Sequence, residues 1–174
     1  QSLKLLKMAE GPASSLAVYE NFALTGHADG TITLWDVENG QKLNTFKRGL
    51  DAVTGVAFGS DADRIVAASA DGKIAMWQRS SSAMPQVISD AHEAAATTLL
   101  RVAGRGAIAS IASDRVVRYA RAETLQAIRT YRGAQASFTA LDASPDGRPF
   151  AAAGADGQIR LWSTSSSRLI KSYK

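Results

Sequence analysis

The sequence predicts an all-β fold assembled from four copies of a four-stranded unit, and three observations carry that reading. An aspartate turn returns at nearly constant spacing, at Asp29, Asp71, Asp114 and Asp156, with separations of 42, 43 and 42 residues. Six residues beyond each aspartate stands Trp35, Trp77, Ala120 or Trp162. Apolar residues also recur in register: Ile32, Ile74, Val117 and Ile159 three residues after the aspartate, and Leu34, Met76, Tyr119 and Leu161 five after. A period of about 40–45 residues with this content is the signature of a β-propeller blade. Arrays of this kind present binding surfaces more often than active sites.

The chain reads as one domain, 1–174, with repeats at approximately 9–48, 49–90, 91–133 and 134–174. In the second unit the strands are expected at Val53–Phe58, Arg64–Ser69, Lys73–Gln78 and Gln86–Ser89, each short and bounded by Gly, Asp, Ser or Pro. Alternation places the third- and fifth-position apolar residues on one face of the third strand, facing a neighbouring sheet. Thr33, Ala75, Arg118 and Arg160 lie between them. Asp-Gly between two β-rich runs is a strong hairpin signal, because glycine takes positive φ without steric cost. Arg115 replaces that glycine in the third unit, so its turn is expected to be strained or differently shaped. Ser144-Pro145-Asp146-Gly147 marks a further hairpin, and the serine runs at 80–82 and 165–167 read as loops between third and fourth strands.

Ahead of the repeats, Leu3–Met8 matches the fourth strands expected at Lys42–Phe46 and Leu169–Tyr173. A closed four-blade ring would need only one strand of this kind at the two termini. The surplus strand therefore suggests part of a larger ring, or half of an assembly in which a homodimer completes an eight-blade propeller. An open arc would leave blade faces exposed, a hazard unless they are covered.

Composition restricts the function classes. Hydrophobic residues make up 45% and charged residues 21%, ordinary values for a globular domain. No run approaches the roughly 18 apolar residues of a membrane-spanning helix. With no cysteine there is no disulfide framework and no thiolate metal site, though this leaves the compartment open, cytoplasmic or exported. The chain begins with Gln1 rather than methionine, which implies processing, trimming or excision from a longer chain. The net charge of +4 equals the charge of residues 91–133, which hold seven Arg and three acidic residues.

The stretches HADGTITLWD at 27–36, SADGKIAMWQ at 69–78, SPDGRPFAAAGADGQIRLWS at 144–163 and NGQKLNTFKRG at 39–49 resemble the WD-repeat β-propeller family. The resemblance covers essentially the whole chain. It implies four-stranded blades, each tied by a hydrogen-bonded set of a His before the first strand, a Ser or Thr in the second, the turn Asp and the third-strand Trp. On this sequence the set maps onto Thr25, Asp29 and Trp35 in the first unit, Asp71 and Trp77 in the second, His92, Ser110 and Asp114 in the third, and Asp156 and Trp162 in the fourth. No unit is complete: Gly11-Pro12, Gly49-Leu50 and Gly133-Ala134 stand where Gly-His is expected, and Ala120 replaces a tryptophan. The chain thus reads as a diverged member held together more by apolar stacking than by these networks. The resemblance further implies a scaffold that docks peptides or domains rather than an enzyme.

Catalytic and metal signals are absent or better explained by the repeat. His27 and Asp29 fall at a strand end and a turn, and His92 matches the blade-capping histidine. There is no Gly-x-Ser-x-Gly elbow, Gly104-Arg105-Gly106 lacks the helix of a phosphate loop, and Asp61 and Asp63 lack the rest of a calcium loop. No cofactor is expected. The arginines of the third unit, with Tyr119 and Tyr131 interleaved, suggest nucleic-acid or acidic-surface binding as a second reading, though strand alternation should disperse them. A third reading makes the chain the propeller of a larger multidomain protein, bacterial in its Ala- and Arg-rich composition, whose chemistry lies elsewhere. The expected function is a non-catalytic protein-interaction scaffold. Its partner-binding rim is expected at loops 9–13, 48–53, 90–96 and 133–137 with the Asp turns beside them, and Lys47, Arg48, Arg115 and Arg132 face an acidic peptide or domain there.

Overall fold

The computed structural model describes residues 11–47, 49–80, 85–88 and 91–174, and within them forms four antiparallel sheets of four strands with no helix. The first sheet comprises β1 (Ala13–Tyr19), β2 (Phe22–His27), β3 (Ile32–Asp36) and β4 (Gln41–Phe46). The second comprises β5 (Val53–Phe58), β6 (Arg64–Ser69), β7 (Ile74–Gln78) and β8 (Gln86–Ile88). The third holds β9 (Ala96–Val102), β10 (Ala107–Ala112), β11 (Val117–Arg121) and β12 (Ala127–Tyr131). The fourth holds β13 (Phe138–Ala143), β14 (Pro149–Gly154), β15 (Ile159–Ser163) and β16 (Leu169–Tyr173). Every sheet is a simple up-and-down meander, the architecture of propeller blades. The strands expected in the second unit are present to within a residue at each end, apart from Ser89, which lies outside the described residues, as do Leu3–Met8, Arg48, Ser81 and Ser82.

Turn geometry follows the sequence closely. Gly30, Gly72 and Gly157 hold φ of 81°, 82° and 74° in the β2–β3, β6–β7 and β14–β15 turns. Arg115 holds φ of 64° at the same point of the third sheet. That turn therefore keeps the shape of the others and carries the strain of a side chain in left-handed backbone, a cost of about 1–2 kcal/mol. At Gly30 and Gly72 a second constraint operates: a Cβ would stand 2.5 Å from the Leu50 carbonyl oxygen and 2.7 Å from that of His92. The turn of each of these blades is pressed against the loop that enters the next.

Consecutive sheets stack through a repeated rule. The third- and fifth-position residues of one blade meet the face of the following blade that carries Trp77, Ala120 or Trp162. Ile32 and Leu34 pack with Ala75 and Trp77, where the Phe46 and Trp77 rings lie 6.2 Å apart. Ile74, Val66 and Ala68 pack with Ala96, Leu99 and Ile108. Val117, Tyr119 and Tyr131 pack with Phe138, Phe150 and Trp162, with Phe150 stacked on Trp162 at 5.3 Å and edge-on to Tyr131 at 4.7 Å. Because the second blade is covered on both faces, the intervening Ala75 is completely buried too, and Thr33 of the first blade is likewise buried. The series ends at the fourth sheet. Among the described residues β13 packs on β9 and β10 but not on β1, so the four sheets form an arc and not a closed ring. Ile159 and Leu169 are accordingly 49% and 43% exposed.

Trp77→Ala removes a ring that joins the first two blades. The expected loss is about 3–5 kcal/mol of unfolding free energy, read from chemical denaturation.

Candidate functional site

The aspartate turns and the loops entering β5, β9 and β13 lie at one end of the sheets, and their geometry defines the rim. Each turn aspartate first closes its own turn. A carboxylate oxygen accepts the backbone N–H two residues on: Thr31 to Asp29 at 3.0 Å, Lys73 to Asp71 at 3.2 Å, Val116 to Asp114 at 3.1 Å and Gln158 to Asp156 at 3.1 Å. This local bond is the reason aspartate suits the position.

The rest of each carboxylate is used differently in every blade. In the first, Thr31 Oγ1 and Lys47 Nζ donate to Asp29 at 2.8 and 3.2 Å, and the hydrogen bonds from Thr31 hold the carboxyl down to about 2. In the second, Ser69 Oγ and Lys73 Nζ donate to Asp71, the latter at 2.6 Å. In the third, His92 Nδ1 lies 2.9 Å from Asp114 Oδ2, and His92 Nε2 lies 2.9 Å from Ser110 Oγ. In the fourth, Arg160 makes a two-pronged ion pair with Asp156 at 3.1 and 2.7 Å, and this guanidinium holds the Asp156 carboxyl down to about 2.

Three of the residues mapped by resemblance come together in the third blade: His92, Ser110 and Asp114 form one buried chain. The imidazole is buried, and desolvation, the largest effect, lowers its pKa, as does the Arg118 charge, against the opposing pull of Asp114. The ring is therefore neutral near pH 7, with Nδ1–H donating to Asp114 and Nε2 accepting from the Ser110 hydroxyl. In the first blade Trp35 Nε1–H donates to Thr25 Oγ1 at 2.9 Å, but Asp29 does not join them. His27 does instead. Its Nε2 is 3.1 Å from Thr25 Oγ1 and its Nδ1 is 3.3 Å from the Pro12 carbonyl oxygen, giving a chain Trp35–Thr25–His27–Pro12. In the second and fourth blades Ala67 and Ala152 occupy the hydroxyl position, and Trp77 and Trp162 pack without it.

Two residues have tethering roles that the sequence reading did not assign to them, His27 and Arg160. His27 does by position what a histidine before β1 would do, from two residues beyond Thr25 on the same strand. Arg160 buries 95% of its surface to fasten its own turn. A signal existed for Arg160, a cation four residues after the turn aspartate. None existed for His27, whose partner Pro12 is remote in sequence.

Of the basic rim residues, Arg115 and Arg132 are exposed, and Lys47 is exposed while pairing with Asp29. Arg48 lies outside the described residues. The other arginines of the third blade are dispersed. Arg101 donates to the Ser60 carbonyl and covers the Tyr19 ring at 4.8 Å, Arg105 donates to the Gly147 carbonyl, and Arg129 donates to the Thr164 and Ser165 carbonyls. These three cations link blades. Among the described residues no group of three or more His, Asp or Glu side chains is placed to hold a metal ion. No helix of the described residues is long and apolar enough to cross a membrane.

The blade architecture has a counterpart in sequence comparison. The family described as WD domain, G-beta repeat matches residues 40–78 and 125–163, each running from a fourth strand through the next Asp turn to a tryptophan strand. The chain carries WD repeats over these two stretches. It is 28% identical over 152 residues to pre-mRNA-processing factor 19 of Caenorhabditis elegans, covering 86% of this chain and 31% of that protein. It is 30% identical over 164 residues to nuclear distribution protein PAC1 of Arthroderma benhamiae, covering 87% and 36%. A match to U3 small nucleolar RNA-associated protein 21 of Saccharomyces cerevisiae is 25% identical and covers 88% and 16%. The chain thus spans about a third or less of the length of these relatives.

The His92 geometry sets a pH dependence. A folded-state pKa below the ordinary 6.5 means that the unfolded chain binds the proton more readily. This contribution to stability is complete above pH 6.5 and is lost as pH falls below it. The thermal midpoint should decline from pH 7 to pH 5, and His92→Gln should flatten that part of the curve.

Proposed function

We propose that this chain is a non-catalytic interaction scaffold that docks an acidic peptide or the acidic surface of a partner domain on the rim of aspartate turns. The observation that carries this reading is the rim's construction. Turns of the first two blades are wedged against the entry loop of the next, at Gly30 with Leu50 and at Gly72 with His92, which joins these turns and loops into one surface. Arg115 and Arg132 stand exposed on it. Rigid scaffold with variable surface side chains is where binding function collects. The relatives support the same class: proteins named for pre-mRNA processing and for nuclear distribution share these repeats, as expected when the repeat supplies a platform and not a reaction.

The exposed edges of the arc fit a second element of the reading. Ile159, Leu169, Ile170 and Tyr173 on the fourth blade, and Leu16 and Val18 on β1, are apolar and exposed. Further blades of a longer chain, or a second copy completing an eight-blade ring, would cover them in the way each interior blade is covered.

The nucleic-acid reading is disfavoured by Arg101, Arg105 and Arg129, whose hydrogen bonds to carbonyl oxygens of other blades leave fewer cations for a phosphate track.

A fluorescein-labelled Glu-rich peptide and a single-stranded oligonucleotide of equal charge serve as probes for fluorescence anisotropy. Reversal of Lys47, Arg48, Arg115 and Arg132 to Glu should weaken peptide binding at least about tenfold, a change of roughly 1.4 kcal/mol. Unchanged peptide affinity would end the rim assignment. Tighter binding to the oligonucleotide with a steep salt dependence would favour the nucleic-acid reading.

A further inference from the structure

The third blade differs from its neighbours at one buried point. In register, Ala120 pairs with Ile108 as Trp35 pairs with Ala23, Trp77 with Ile65 and Trp162 with Phe150. The surroundings have not collapsed onto the small side chain. A cavity of about 200 Å³ lies between the second and third blades, lined by Ile74, Ile108, Ser110, Arg118, Ala120 and Leu125 among others. An apolar protein cavity of about 150 Å³ is enough to admit benzene.

Its polar lining is specific. In the first blade Thr25 Oγ1, two residues beyond Ala23, accepts the indole N–H of Trp35 at 2.9 Å. Ser110 holds the same register position two residues beyond Ile108. Its hydroxyl hydrogen is committed to His92 Nε2 at 2.9 Å, so its oxygen keeps lone pairs that can accept a donor from an occupant. Arg118 adds a second feature: its Nε is buried without a hydrogen-bond partner, a cationic group that an aromatic face can attract. The cavity wall therefore offers an acceptor, a cation and an apolar slot between sheets.

We infer that the cavity between the second and third blades is a binding site for a small planar heteroaromatic bearing one N–H donor, of which indole is the simplest. The occupant takes the place that tryptophan holds in the other three blades. Its N–H donates to Ser110 Oγ, its ring packs on Ile74, Ile108 and Leu125, and its face meets Arg118. This site is separate from the rim and does not depend on the function proposed for it.

The test titrates indole into the 174-residue chain near pH 7, following the thermal midpoint and the backbone amide NMR shifts. The site predicts a saturable rise in midpoint, with shifts confined to the lining segments, namely β7, β10, β11, Ala91 and residues 125–127. It predicts that 1-methylindole, which lacks the donor, binds about five- to tenfold more weakly, the worth of one hydrogen bond. Ala120→Trp should raise the midpoint without ligand and abolish the indole response. Ala120→Leu, a smaller filling, does the same if tryptophan overpacks the site. Absence of a saturable response, shifts elsewhere on the chain, equal binding of 1-methylindole, or an indole response that survives in a folded filled variant would each overturn the assignment.

Discussion

The bond from each turn aspartate to the backbone N–H two residues on is the constraint from which the rest of the arc follows. It fixes the hairpin that starts the third strand of every blade, and so fixes the register of the residues behind it. With the aspartate as origin, the third and fifth positions must face one neighbour and the fourth and sixth the other. A one-residue slip would turn Trp77 away from Ile32 and Leu34 and would swing Ile74 away from its contacts with the third blade. The four turns keep this bond at 3.0–3.2 Å although their sequences differ, including Arg115 held at positive φ.

Beyond that shared bond, the blades solve one problem with different chemistry. The turn must be fastened to the sheet, and a neutral histidine, a lysine, a serine or a buried arginine each does so. Asp156 with Arg160 is a partly buried ion pair joined by two charge-assisted hydrogen bonds. Asp114 with His92 needs no permanent cation, which suits the more enclosed third blade. The first blade separates the tasks, giving Asp29 to its own turn and handing the tryptophan to Thr25 and His27. Apolar stacking then joins each blade to the next, most visibly in the ring cluster of Tyr131, Phe138, Phe150 and Trp162.

The strands were legible in the sequence because two independent periods agree, the spacing of the aspartates and the alternation behind them. Val53–Phe58 and Arg64–Ser69 were placed correctly for that reason. The missing tryptophan at Ala120 was legible as well, but not the cavity, because whether neighbours collapse onto a small residue depends on three-dimensional packing. The tethering roles of His27 and Arg160 were not read because these residues reach the same end from positions outside the expected pattern. The rim was legible only as a location: charge and loop position placed Arg115 and Arg132 there, while side-chain pairing of Lys47 with Asp29 required the fold.

If stacking between blades, set in register by the aspartate turns, holds the molecule together, local stability must follow the number of faces each blade has covered. Native-state hydrogen exchange measures this directly. Amides of β5, β6, β9 and β10, in blades covered on both sides, should exchange only through global unfolding and share one free energy. Those of β15 and β16, on the blade with an exposed face, should open at a clearly lower free energy. Protection in β15 and β16 equal to that in β6 and β10 would contradict the account, because each sheet would then be stable without its neighbour.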